Sequence, residues 1–234
     1  MSFIKNAAAF GKLVGICAGY EGRYNPAHQN LSISTLRMLA EKANSANRSV
    51  GQANQLRITA AGQRRNAFEE LRVLVKSLRG EISNLSIDEA TRGMLNDALN
   101  GMAGFRKDSG VKTISADGVP IVNPGKHSSG NDYSTRLAAF ELLISTLSGT
   151  AVYMPSSESA SISSLQKRME NLNDLMEQVN KAKAALDDAR SYRKKVFFQS
   201  GGVLDTTRSV KNVFKSIFGN PSDELTGIRS IRFI

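Results

Sequence analysis

The chain has 234 residues and a mass of 25.3 kDa, and its 41% apolar content suffices for one sizeable core or two small ones, which excludes a disordered chain. A formal net charge of +10 and a pI near 9.9 point to a polyanionic partner, whether nucleic acid, an acidic protein surface or an anionic lipid face, while the absence of Trp argues against stacking platforms for single-stranded nucleic acid. One cysteine, Cys17, and two histidines, His28 and His127, exclude an intrachain disulfide and supply too few ligands for a zinc site; no cofactor is expected.

The first predicted helix covers residues 3–20. Its stretch from Ala7 to Cys17 resembles an export or lipoprotein signal, but Lys12 interrupts the apolar region and Ile16 stands where a small residue would precede a lipidated cysteine. The segment therefore reads as a core helix. Tyr24-Asn25-Pro26 marks a crossing between elements, because proline cannot sit inside a helix and restricts the residue before it. Ser32-Ile33-Ser34 supplies N-cap candidates for a long helix. Its seam of Ala40, Ala43, Val50, Ala53 and Ala60 is lean and allows close approach, and Gly51 and Gly62 weaken its continuity. A third helical unit carries Leu71, Leu74, Val75 and Leu78 at the i, i+3, i+4, i+7 spacing of a packed face, with Gly80 as its stop. A short helix is expected over residues 87–100, and the Gly- and Pro-containing residues 107–130 read as a linker in which Val119-Pro120-Ile121-Val122 offers one extended piece.

Beyond the linker the pattern returns. An apolar helix over residues 132–148 leads to Tyr153-Met154-Pro155 and the serines Ser159 and Ser161. Ile162, Leu165, Met169, Leu172, Met176 and Val179 then alternate in steps of three and four, which is a coiled-coil seam. With no Gly or Pro from Ser161 to Ser200, a helix of about 35 residues, on the order of 50 Å, is expected. After Gly201-Gly202, the residues Val210, Val213, Phe214, Ile217 and Phe218 form another packed face, stopped by Gly219.

These parallels are an internal duplication. Residues 24–36 and 153–165 align at one constant offset with six identities in thirteen positions, where unrelated sequence gives about one. At the same offset Glu41, Asn44, Val50, Ala53, Arg64 and Phe68 meet Glu170, Asn173, Val179, Ala182, Arg193 and Phe197, and Lys76-Ser77-Leu78-Arg79-Gly80 returns after an insertion as Lys215-Ser216-Ile217-Phe218-Gly219. The expected fold is all-α, with two tandem three-helix units built around long central helices and packed as a pseudo-twofold bundle or an elongated rod. The repeats span 1–106 and 131–234, joined by the linker at 107–130.

The Tyr-x-Pro repeat, the third-helix echo and the ending Lys215-Ser216-Ile217-Phe218-Gly219-Asn220-Pro221-Ser222 … Ile231-Arg232-Phe233 resemble an uncharacterised family of bacterial all-helical proteins with the same tandem duplication and a similar terminal segment. The resemblance spans most of the chain and implies a duplicated helical fold. It implies no activity, and the linker departs from the Pro-rich linkers of that group.

Neither copy brings a nucleophile, a base and an orienting group together, so no enzyme is expected. Glu69-Glu70, Asp187-Asp188 and Asp223-Glu224 are adjacent pairs that diverge by about 100° on a helix and cannot jointly flank a substrate. Two surfaces remain. The tail ends on large apolar residues, and Phe214, Ile217, Phe218, Ile228, Ile231 and Phe233 are candidate assembly residues for a structural protein that forms a homo-oligomer or filament; folding of the tail onto its own core is the alternative. The structural protein is the leading expectation; the alternative is a nucleic-acid-binding accessory protein with the stripe Arg57, Arg64, Arg65, Arg72, Lys76 and Arg79 as its polyanion face, a solvated helix face being the plainer reading of that stripe. No apolar run reaches the roughly 18–20 residues needed to span a bilayer, and the cytoplasm is the expected location, a component of a virus-like particle being the alternative.

Overall fold

The computed structural model describes residues 2–20, 22–104, 113–114, 120–121, 132–219 and 222–233. These residues are helical throughout except for turns and one two-residue strand pair, so the class is all-α. Helix α1 (Phe3–Gly19) starts where the Ser2 hydroxyl accepts from the Lys5 amide at 3.4 Å, satisfying one of the donors a helix start leaves open. It buries Phe10, Leu13, Val14 and Cys17 along one stripe. Burial pushes the Cys17 thiol up to about 12, which keeps it protonated and inert. A disulfide-exchange dye at pH 8 is therefore expected to find no reactive thiol in the native protein and one per chain in guanidinium chloride. Prompt native reaction would mean that α1 does not stay docked.

The crossing after α1 is braced by its tyrosine. The Tyr24 hydroxyl donates to the Leu31 carbonyl at 2.9 Å, across a single 3-10 turn at Gln29–Leu31. In the second copy the Tyr153 hydroxyl donates to the Ala160 carbonyl at 2.7 Å, across the corresponding turn at Glu158–Ala160. Ser32 and Ser161 then cap the long helices, their hydroxyls accepting from the amides of Thr35 and Ser164 at 3.4 and 3.3 Å.

The expected break in copy one is absent. Helix α2 runs unbroken from Ile33 to Ser83, 51 residues, so the separate second and third helices of that copy are one, and Gly80 does not stop it. A glycine costs about 1 kcal/mol within a helix. Gly51, Gly62 and Gly80 meet no neighbour at their Cβ positions, so the surrounding packing neither requires nor forbids them. Buried Phe68, Leu71, Leu74, Val75, Leu78 and Ile82 hold the helix through Gly80, at about 1.5–3 kcal/mol per large apolar side chain, and buried Ala46, Ala53 and Ala60 flank Gly51 and Gly62. Copy two is divided instead. Helices α5 (Ile162–Phe198) and α6 (Val203–Phe218) correspond to successive parts of α2, separated by Gly201-Gly202. Gly201 has φ +72°, and a Cβ on Gly202 would lie 2.7 Å from the Val196 carbonyl oxygen, so this corner accepts only glycine.

Helix α3 (Glu89–Ala103) is capped by the Asp88 carboxylate, which accepts from the Thr91 amide at 2.9 Å, and it ends on left-handed Gly104. Strands β1 (Thr113–Ile114) and β2 (Pro120–Ile121) pair antiparallel. The extended piece expected at residues 119–122 is thus seen in its two central residues, while the linker at 107–130 apart from β1 and β2 lies outside the described residues. Helix α4 (Tyr133–Ser148) starts on Asp132. Helix α7 (Asp223–Arg229) is an element the sequence reading omits: Ser222 caps it by accepting from the Leu225 amide at 3.1 Å.

The chain forms two compact units, and their boundaries are not those of the repeats. One unit comprises Met1–Thr59 with Asn180–Ile234, and the other comprises Ala60–Val179. Each therefore combines the beginning of one copy with the end of the other. In the first, α1, the start of α2 and the end of α5 enclose a core with α6 and α7 that contains Phe10, Leu36, Phe197, Val210, Phe214 and Ile228. In the second, the end of α2 packs with α3, α4 and the start of α5 around Phe68, Leu95, Leu99, Phe140 and Leu165. Of the residues spaced by threes and fours along α5, Leu165 and Leu172 are fully buried in that core, with Ile162, Met169 and Met176 packed against it. The lean seam of α2 supplies Ala43 to the first core.

Equivalent side chains do equivalent work in the two units. The Arg193 guanidinium lies 4.1 Å from the Phe3 ring, and that of its counterpart Arg64 lies 4.1 Å from the Tyr133 ring. Phe197 meets Phe3 edge-on at 5.1 Å, as Phe68 meets Tyr133 at 4.7 Å. Arg136 is a buried cation of the second unit. Although only 2% exposed, it donates from Nε to the Met102 carbonyl at 2.7 Å and from Nη2 to the Phe68 carbonyl at 2.6 Å.

Candidate polyanion and assembly surfaces

On a helix, positions seven apart drift by only about 20°, and positions four apart by about 40°. Arg65, Arg72, Lys76 and Arg79 therefore share one face of α2, and all four are exposed. Arg57 and Arg64 point elsewhere. Arg57 is half-buried and donates to Asn54 Oδ1 at 3.3 Å, and Arg64 stacks on Tyr133 with Nη1 3.7 Å from Met176 Sδ. Two members of the six-residue stripe are thus drawn into packing, and Arg57 belongs to the other compact unit.

The four that remain are partly engaged. Arg72 pairs with Glu69 at 3.0 Å, and Arg79 Nη2 donates to Asn100 Oδ1 at 2.6 Å. Glu70, beside Glu69 in sequence, faces a different partner, Arg168, at 3.8 Å. Surface pairs of this kind contribute about 0–1 kcal/mol, so a phosphate can exchange with them at little cost.

The tail residues have another fate. Phe214 and Ile228 are completely buried in the core of their own unit, while Ile217, Phe218, Ile231 and Phe233 pack against it. Phe214 stacks with Tyr24 at 5.2 Å and with Phe218 at 5.0 Å, and Arg23 caps the Phe218 ring at 4.4 Å while pairing with Glu224 at 3.2 Å. The tail docks onto its own unit. The six candidate assembly residues are brought together, but as parts of an intramolecular core.

That docking assembles something not visible in the linear sequence. Arg208 and Lys211 of α6 line one groove together with Arg229 and Arg232 of the tail. Arg208 and Lys211 are spaced i, i+3 on α6, a legible signal of a shared direction, but nothing in the sequence says that they meet Arg229 and Arg232. Among the described residues no group of three or more His, Cys, Asp or Glu side chains is placed to hold a metal ion, and no helix is long and apolar enough to cross a membrane. Comparison of the chain with protein-family models, with curated proteins and with solved structures finds no match.

Proposed function

We propose that the chain is a non-enzymatic helical protein that binds nucleic acid through the exposed cationic face of α2. The observation that carries this reading is the alignment of Arg65, Arg72, Lys76 and Arg79 on one face of a continuous helix, in a protein of net charge +10. Cations spaced along a rigid rod neutralise successive phosphates and release their counterions, without reading base sequence. Binding to duplex DNA should weaken with salt at a log–log slope of up to about −3.6, for four phosphate contacts, and should be alike for two unrelated sequences. The Arg65→Glu/Lys76→Glu variant is expected to lose roughly tenfold or more in affinity at 0.1 M salt, in a fluorescence-polarisation titration. Undiminished binding by that variant would remove this face from the reading.

Self-assembly as a structural or scaffolding protein is the second reading, a homo-oligomer or filament formed through helical seams. Exposure of Met154 at 84% and Val73 at 70% in one unit, and of Ile4 at 71% and Leu56 at 63% in the other, supports it. With Phe214 and Ile228 used inside their own unit, assembly in this reading proceeds through these exposed residues, Leu56 and Val73 of α2 among them, rather than through the tail. The resemblance of the C-terminal segment to the duplicated bacterial helical family accords with either reading, as does a cytoplasmic location.

A further inference from the structure

The groove formed where the tail docks has a volume of about 550 Å³, within the range of small-molecule sites. It lies wholly in the unit of Met1–Thr59 and Asn180–Ile234. Arg208, Lys211, Arg229 and Arg232 line it, together with Asn6 and Thr207, and none of its described lining residues is a carboxylate. A second depression adjoins it through Arg232 and adds Lys5 and Lys12 of α1, again without a carboxylate. Four cations thus line one groove, two from α6 and two from the tail.

The groove has a fixed feature as well as charge. Lys211 is half-buried, donates from Nζ to the Ile231 carbonyl at 3.0 Å and lies 5.7 Å from the centre of the Phe233 ring, so its ammonium is held in place by the docked tail. Burial also lowers its pKa, which an adjacent anion would reverse. Arginine forks suit the paired oxygens of phosphate, whereas a lysine acts as a point charge between them. Four cations along one groove match several phosphate groups better than one.

We propose that this groove binds a small molecule carrying clustered phosphate groups, with Arg208, Lys211, Arg229 and Arg232 as its ligands. The site shares no residue with the α2 face, so the two stand or fall separately. Isothermal titration at about 0.1 M salt with inorganic tripolyphosphate is expected to show saturable binding at one site per chain. The Arg208→Ser/Arg232→Ser variant changes two exposed side chains and should keep the parent's far-ultraviolet circular dichroism while binding at least tenfold more weakly. The Arg65→Glu/Lys76→Glu variant should bind tripolyphosphate as the parent does. A nucleoside triphosphate that binds more tightly than tripolyphosphate would identify a nucleotide as the source of the phosphates, and equal binding would identify the phosphate chain alone; both support the site. Absence of tripolyphosphate binding, or equal binding by the Arg208→Ser/Arg232→Ser variant, would overturn it.

Discussion

Truncation of Phe214 to alanine should lower stability by about 3–5 kcal/mol, the usual range for removing a fully buried aromatic side chain. Phe214 is 0% exposed and at the centre of an aromatic cluster, stacked with Tyr24 and Phe218 and met edge-on by Tyr20 at 6.1 Å. Neither Phe218 nor Tyr20 can collapse into the space without giving up its own contacts, so the cavity adds to the lost transfer energy. Against a typical total of about 5–15 kcal/mol, this is a large fraction. Denaturant unfolding followed by circular dichroism reads the effect as a lower midpoint. Light scattering on the same variant, under native conditions, separates the core role from an interface role. An unchanged mass with a lowered midpoint is expected; a lowered mass with an unchanged midpoint would return Phe214 to the surface of an assembly.

The second large effect concerns Arg136. Replacement by methionine, which keeps much of the volume and the flexible stem, should destabilise by about 2–3 kcal/mol, because two charge-assisted hydrogen bonds are lost, at roughly 1.5–3 kcal/mol each, while the desolvation of a buried guanidinium is relieved. Burial comes first among the influences that hold the Arg136 pKa below its usual value, followed by Arg72. The two bonded carbonyls are not equivalent. Phe68 lies inside α2, where its carbonyl keeps a helical donor, whereas Met102 lies in the last turn of α3 and loses its side-chain partner. A variant as stable as the parent would show that desolvation outweighs the hydrogen bonds. Phe214 tests the unit of Met1–Thr59 and Asn180–Ile234; Arg136 tests the unit of Ala60–Val179.

Much of this molecule is local and therefore legible. The apolar periodicities of α1, α4 and α5, the tyrosine-braced crossings, the serine caps and the glycine corner after α5 each follow from the conformational preferences of a few neighbouring residues. The duplication is equally a property of the sequence, and its side-chain counterparts, Arg64 with Arg193 and Tyr24 with Tyr153, recur in structure. The continuity of α2 was not legible, since Gly51 and Gly62 weaken helix propensity locally while the burial that holds the helix comes from elements far along the chain.

Charge placement needed the fold as well. Periodicity puts Arg65, Arg72, Lys76 and Arg79 on one side of α2, but only packing draws Arg64 onto Tyr133. An apolar ending reads the same whether it docks on its own core or on a neighbour, because hydrophobic burial has no direction. The amino-acid sequence by itself determined an all-helical, duplicated, basic chain, since those properties reside in spacing and composition. Tertiary structure alone decided that each compact unit joins the beginning of one copy to the end of the other, that the tail closes onto its own unit, and that Arg208, Lys211, Arg229 and Arg232 meet in one groove. Those outcomes depend on which apolar faces find each other across the chain, which no local pattern encodes.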